Sequence, residues 1–278
     1  MSRHPSIAPL RKTIQTQISA VYRHGSTTVL KSNRKEINTI EGVENASSKF
    51  LMKRLFLDNN IKSPEFYFYK KSNLYRQDIN NVETLINKEE IPFPLVAKLN
   101  FSSRGRGMIL IKTQKEFDDF IKTKFRHGYY FERYYTYSRE YRLHVSKNGC
   151  FYSCRKMLKS DTKEEDRWYR NDSNSVWITQ FERILNKNGK FLEFSQKLNP
   201  EFNQPTNWEE ICEHCIKALQ ALKLDIGAVD LKIQTDKTSK NKVRENQQYI
   251  ILEINSAPSM GDITLIKYKE ELINLTNV

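Results

Sequence analysis

No stretch of this 278-residue sequence approaches the ~18 consecutive apolar residues that a membrane-spanning helix needs, and the N-terminus lacks the apolar core of a secretory signal. The expectation is a cytoplasmic protein with no membrane partner. Cysteine is scarce, four residues in all, which fits a reducing compartment. Their spacings, Cys150-x3-Cys154 and Cys212-x2-Cys215, invite a zinc reading. Structural zinc, however, takes paired ligands on tight knuckles, whereas one pair falls in a strand-like stretch and the other in a helical one. They read as small buried hydrophobes. No internal repeat is evident. Acidic residues are the minority charge, 33 against 46 Lys+Arg, for a net charge of +13. That excess favours an anionic partner, nucleic acid or a phosphate-bearing substrate, although a Lys-rich solvated surface would give the same sum.

What is present is enough for a folded enzyme. Hydrophobic content of 38% with 12% aromatics is too rich for a disordered chain, and the length allows one or two domains. Near the C-terminus, Tyr249-Ile-Ile-Leu-Glu253-Ile-Asn255 has the β-branched filling of a buried strand, followed by Ser-Ala-Pro258. Side chains alternate along a strand, so Glu253 and Asn255 share a face. A second apolar strand, Ile226–Ile233, carries Asp230 in its middle. Paired antiparallel, the two would present three oxygen donors together, a set suited to Mg²⁺. A charged pair on an ordinary solvent-facing hairpin would look the same.

Further along the chain, Arg23-His24-Gly25-Ser-Thr-Thr28 follows a short strand and reads as a donor-rich polar turn, able to touch a phosphate or carboxylate. A helix is expected from Asn45 or Ser47 to Asn60, with Lys49 in its first turn and Phe50, Leu51, Leu55 and Phe56 as its stripe. Residues 70–90 are polar and read as loop plus a short helix. Pro94-Leu-Val-Ala-Lys98 makes a strand whose lone charge either snorkels to the rim or awaits an anion. The loop after it, with Ser102, Ser103, Arg104, Gly105, Arg106 and Gly107, can fold backbone N–H groups over phosphates, with positive charge beside them. A short amphipathic helix over 116–124 is followed by an aromatic strand with Glu132, Arg133, Tyr134 and Tyr135. Next comes an alternating strand that sets Glu140, Arg142 and His144 on one face, and the meander over 151–158 brings Arg155 and Lys156 near its end. Residues 160–207, with Trp168 and Trp177, read as irregular, the signature of a lid or binding loop. A capping box at Thr206 opens a helix to Leu224, and 235–248 reads as a hairpin tip.

In this order the pieces resemble the ATP-grasp superfamily of carboxylate–amine ligases, in the branch of ribosomal-protein glutamate ligases and D-alanine–D-alanine ligases. The likeness covers residues 45–265, and the compact basic form is similar to members carried by bacteriophages, whose setting would be the host cytoplasm. It implies an α+β fold in which a short segment, 1–45, precedes a small lobe, 46–130, and a C-terminal lobe, 131–278, that clasp ATP. Lys49 and Lys98 would contact the phosphates, the 100–108 loop would close over them, Glu132 to Tyr135 would line the adenine, and Glu140 would hold the ribose. Asp230, Glu253 and Asn255 would hold one or two Mg²⁺ ions, with Arg142, Arg155 and Lys156 near the transferred phosphate. The implied reaction phosphorylates a carboxylate and lets an amine attack the acyl phosphate, leaving an amide, ADP and phosphate, with amino acids or peptides as substrates. Two departures stand out: the usual preceding α/β domain is represented by only the short segment, and Ala228 occupies a position where the D-alanine branch has arginine. The competing readings are a nucleic-acid-binding or nucleic-acid-modifying protein using its basic and aromatic residues, and a non-catalytic ATP-binding protein of the same fold.

Overall fold

The computed structural model describes residues 20–29, 34–70, 73–77, 83–103, 105–125, 128–137, 139–234 and 247–277. Arg104 and the expected hairpin tip over 235–246 lie outside them. The fold is α+β and built on two principal sheets.

The first sheet has six strands: β5 (Glu83–Ile86), β4 (Asn73–Gln77), β3 (Phe66–Lys70), β8 (Tyr129–Arg133), β6 (Leu95–Leu99) and β7 (Ile109–Ile111). Helix α3 (Gln114–Thr123), the one expected over 116–124, lays Phe117 and Phe120 on Leu95, Ala97 and Phe131. Residues 70–90 were expected to be loop plus helix, and this is corrected: they hold β4, the edge strand β5 and a 3₁₀ turn at Lys88–Glu90. β5 at the sheet edge is largely exposed and β4 beside it buries little more than Leu74 and Gln77, so their local composition looks like a loop.

The second sheet has five antiparallel strands in the order β11 (Ser175–Thr179), β10 (Gly149–Leu158), β9 (Arg139–Ser146), β14 (Ile226–Ile233) and β15 (Tyr249–Asn255). Helix α4 (Trp208–Ala221) covers one face with Ile211, Cys215, Ala218 and Leu219. The other face is left for polar side chains. The segment 160–207 is also more regular than expected, since it contains β11 and the hairpin β12 (Phe181–Leu185) and β13 (Phe191–Leu198). Pairing of β11 with β10 and of β12 with β13 supplies the order that local composition concealed.

Near the N-terminus β1 (Ala20–Tyr22) and β2 (Lys35–Ile37) pair in parallel. The single helix expected to end at residue 60 is two, α1 (Ile40–Ser47) and α2 (Lys49–Asp58). Ser48 takes extended φ/ψ between them, and its hydroxyl accepts from the Leu51 amide as an N-cap. Met52 and Phe56 of α2 sit in the core under the second sheet, so the helix carrying Lys49 packs with that sheet. Helix α5 (Asp262–Thr276), which the sequence reading left unassigned, joins Tyr268 and Leu275 to Ile37 and Ile226 in a third small core.

Candidate active site

The polar face of the second sheet is organised in rows set by strand register. Cross-strand partners point to the same side, so Cys154, Arg142, Asp230 and Glu253 form one row. Asp230 and Glu253 are direct neighbours, and Asn255 donates its Nδ2 to Asp230 at 3.2 Å. Arg142 clasps Asp230 through Nε and Nη2, both at 2.7 Å. Glu253 pairs with Lys49 at 3.2 Å. Burial opposes ionisation of Glu253, but Lys49, Lys98 and Arg142 outweigh it and hold the carboxyl at about 2. Two carboxylates and an amide oxygen are thus brought together, a hard-oxygen donor set that fits Mg²⁺. Arg142 and Lys49 supply the positive charge around those carboxylates.

A lysine cluster belongs to the facing sheet. Strand alternation turns Lys98, Tyr130 and Glu132 to one side, and Glu132 takes Lys98 at 2.6 Å, Lys53 at 3.3 Å and the Tyr130 hydroxyl at 2.9 Å. Lys53 also donates to the Leu252 carbonyl at 2.7 Å, beside Glu253. Its ammonium is pulled down to about 8 by burial, with Glu132 opposing and Lys98 assisting. Glu132 is buried at the centre of this cluster, and burial opposes its ionisation while Lys53 and Lys98 lower its pKa. Its side chain is thus spent on two lysines, which leaves only its backbone for the expected place along the adenine. Lys53 went unnoticed in the sequence, although it lies one turn after Lys49, on the same helix face.

The Lys53 shift has a measurable consequence. A free lysine titrates near ~10.4, so between about 8 and that value the unfolded chain binds more protons than the folded one. The penalty on folding is full below the folded pKa and is relieved as pH rises. Urea unfolding of wild type, measured relative to Lys53→Met, is expected to gain stability from pH 8 to pH 10; parallel pH profiles would contradict it.

Asn100 ties the glycine loop to α2. Its side-chain oxygen accepts from the Phe50 amide at 2.7 Å and the Ser48 hydroxyl at 3.1 Å. Within the loop, Ser102 donates to the Leu99 carbonyl at 3.0 Å and the Ser103 carbonyl accepts from the Arg106 amide at 3.2 Å. Gly105 and Gly107 have φ of 71° and 74°, and a Cβ on Gly107 would lie 2.7 Å from Leu99. That position admits only glycine. A Cβ at Gly105 would lie 3.9 Å from the Tyr169 ring, so the loop meets the 160–170 segment.

Beneath that meeting point is a cavity of about 370 Å³ lined by Tyr134, Lys156, Met157, Trp168, Arg170 and Lys232, among others. Lys232 lies 5.2 Å from the centroid of the Tyr134 ring. Burial lowers its pKa to about 8, with Glu140 opposing. Glu140 faces Arg170 at 3.7 Å and Lys156 at 3.9 Å. Trp177 stacks beneath Arg142 and Lys156, at 5.0 and 5.2 Å. Lys232 was legible: it stands two residues after Asp230 on the same strand, hence on the same face. Trp168 was legible only as part of a lid or binding loop, and Arg170 had no local signal, because a loop brings both in.

Several expected residues sit elsewhere. Arg155 aligns with Tyr141 and Leu231, whose side chains face the α4 core, and its Nη1 donates to the Glu201 carbonyl at 2.8 Å. Alternation sets it on the opposite face from Arg142, although it also contributes to the lining of the 370 Å³ cavity. Arg133 points outward to Glu65 at 3.6 Å and to the Tyr135 ring at 5.5 Å. The amides of Arg133 and Tyr134 are already bonded to Glu65 and Pro94 carbonyls, both at 2.9 Å. Arg23 is 2% exposed and pairs with Glu36 at 2.7 Å, so it faces inward.

No family model matches the chain and no curated protein does. Solved structures do. D-alanine–D-alanine ligase of Bacillus anthracis is similar at a TM-score of 0.51 and 15% identity, over 86% of this chain and 66% of that one. The D-alanine–D-alanine ligase of Coxiella burnetii is similar at a TM-score of 0.52 and 12% identity, over 86% and 56%. The ATP-grasp ligase PsnB complexed with its minimal precursor has a TM-score of 0.51 and 12% identity, over 87% and 64%. This chain spans less than two thirds of the length of each.

Proposed function

We propose, starting from the ATP-grasp fold that this chain shares with those structures, that it is an ATP- and Mg²⁺-dependent carbon–nitrogen ligase. It would phosphorylate a carboxylate with the γ-phosphate of ATP and pass the acyl group to an amine, releasing ADP and phosphate. The single observation that carries this reading is the juxtaposition across one cleft of Asp230, Glu253 and Asn255 with Lys49, Lys53 and Lys98. Carboxylates repel phosphate unless a cation stands between, and lysines attract it, so the arrangement suits a metal–polyphosphate complex better than nucleic acid. Related crystal structures bear this nucleotide chemistry: the B. anthracis enzyme is complexed with ATP and PsnB with Mg and ADP.

The base and ribose would take the 370 Å³ cavity, between Tyr134 and Trp168, with Glu140 at the ribose. Lys98 and Lys49 would hold the phosphates and the 100–108 loop would cover them. Asp230, Glu253 and Asn255 would hold one or two Mg²⁺ ions. Mg²⁺ bound there would neutralise the phosphates during transfer. Arg142 and Lys156, steadied by Trp177, would stand beside the transferred group and the developing oxyanion. The amide-bond partners would be amino acids or peptides.

Product analysis tests this. Purified protein incubated with MgATP and pooled amino acids should form ADP and phosphate. AMP and pyrophosphate would overturn the acyl-phosphate route, and no turnover together with tight ATP-indifferent binding to DNA or RNA would overturn the ligase. Lys98→Ala is expected to weaken nucleotide binding by about 10- to 100-fold, the worth of one charge-assisted hydrogen bond. Titration with a fluorescent ATP analogue reads it, and an unchanged Kd would remove Lys98 from the phosphate site.

A further inference from the structure

The rows of the second sheet succeed one another away from the nucleotide cavity. The first is Lys156, Glu140 and Lys232; next comes Cys154, Arg142, Asp230 and Glu253; the third is Tyr152, His144, Ala228 and Asn255. The cavity lies at the first row. A nucleotide with its base there and its phosphates at the second row directs the γ-phosphate end toward the third.

What borders the third row comes from the N-terminal part of the chain. The Tyr22 hydroxyl donates to the Ser256 carbonyl at 3.3 Å and lies 3.3 Å from His24 Nδ1. The Tyr22 ring is 6.2 Å from that of Tyr268, whose hydroxyl is 3.2 Å from His144 Nδ1 in the third row. Gly25 has φ of 69°, and a Cβ there would lie 2.7 Å from the Ala257 Cβ, two residues past Asn255. The turn therefore presses directly on the loop that follows the carboxylate strand.

Its shape is held from beneath. Arg23 bonds Glu36 through Nε and gives Nη1 to the Ser26 and Thr28 carbonyls at 3.2 and 2.6 Å, while its buried Nη2 has no hydrogen-bond partner among the described residues. Burying a guanidinium is costly. Here that cost supports a polar turn carrying His24, Ser26, Thr27 and Thr28, the two threonines exposed. Structural packing alone would be served by an apolar residue at position 23.

We propose that the turn over residues 23–28 is the wall of the carboxylate-substrate subsite and determines which carboxylate is accepted. The class it fits is a compact, polar carboxylate of amino-acid size, met by His24 and the threonine hydroxyls. Direct contact of Gly25 with Ala257 closes that end against a long chain threading past. Arg23 is a positioning residue that acts through the turn. This inference rests on the ligase reading, since it takes its direction from the γ-phosphate.

The test uses the full chain with the twenty proteinogenic amino acids and their aspartyl and glutamyl dipeptides as probes. Phosphate release is measured for wild type, His24→Ala and Gly25→Ala. The expected result is a KM for the stimulating carboxylate raised about tenfold or a changed order of preference, with the KM for ATP unmoved. An unchanged carboxylate profile in both variants overturns the wall. Hydrogen–deuterium exchange with a nonhydrolysable ATP analogue, with and without the probe mixture, separates this inference from the ligase reading. Protection of residues 22–28 that appears only with the mixture supports the wall even where wild type turns nothing over, an outcome that sinks the ligase alone. Absence of that protection overturns the wall whether or not turnover occurs.

Discussion

Glu253→Gln is expected to lower Mg²⁺-dependent ADP formation by about 10³-fold or more while leaving the fold intact, a loss in the range seen when a major electrostatic contributor is removed from a transition state. Glu253 is ionised at every working pH, since Lys49, Lys98 and Arg142 hold it at about 2 against its own burial. The amide keeps its size and removes its charge, so what disappears is half of the anionic pair that would bind the metal. The fold should survive because Lys98 keeps Glu132 at 2.6 Å and Lys49 loses a single 3.2 Å contact at the end of a flexible side chain. Circular dichroism with ADP quantification over a Mg²⁺ series reads both halves. Turnover within tenfold of wild type at equal Mg²⁺ would remove Glu253 from the metal set.

Asp230→Asn is a less clean experiment, for a reason visible only in the structure. Asp230 accepts two 2.7 Å bonds from Arg142, whose side chain is 18% exposed. The amide would leave a largely buried guanidinium without its anion, so lost activity would be mixed with lost stability. Sequence reasoning treated the two carboxylates as equivalent. The tertiary pairing makes them different.

The largest stability effect is expected at Glu132. Glu132→Gln should destabilise the protein by about 3–5 kcal/mol, the cost of breaking a buried pair by removing one partner. Lys53, 1% exposed by side chain, would lose the anion that holds its ammonium charged against burial, and Lys98 would lose the charge of its 2.6 Å partner. For a chain of this size the loss corresponds to a fall in Tm of roughly 5–9 °C. The double variant Lys53→Met/Glu132→Leu should recover much of it, because apolar replacement removes both buried charges together. Thermal unfolding of the three proteins decides the matter. A single variant as stable as wild type would mean that water reaches Lys53 and Glu132 far more freely than their burial indicates.

Much of the site was legible because period-2 alternation is a local property of the chain. It puts Asp230 and Lys232 on one face, and Glu253 and Asn255 on another strand's matching face, whatever the rest of the molecule does. Alternation also held the information that Arg155 points away from Lys156. The sequence reading grouped those two as neighbours in number, and the register separates them. Residues 73–77 and 83–86 were illegible for a different reason: β5 at the sheet edge and β4 beside it are held by backbone pairing with their neighbours, which leaves little trace in their own side chains.

By itself, then, the sequence determined the two carboxylate strands and their common face, the Lys98 strand, the glycine loop, the helices at 114–123 and 208–221 and the α+β class, each written in periodicities a few residues long. The tertiary structure alone decided which charges meet. Lys53 reaches a carbonyl 199 residues away, Arg142 an aspartate 88 residues away, and Tyr22 a carbonyl 234 residues away. Such pairings are selected by the burial of whole faces, an energy that belongs to the folded chain and to no segment of it.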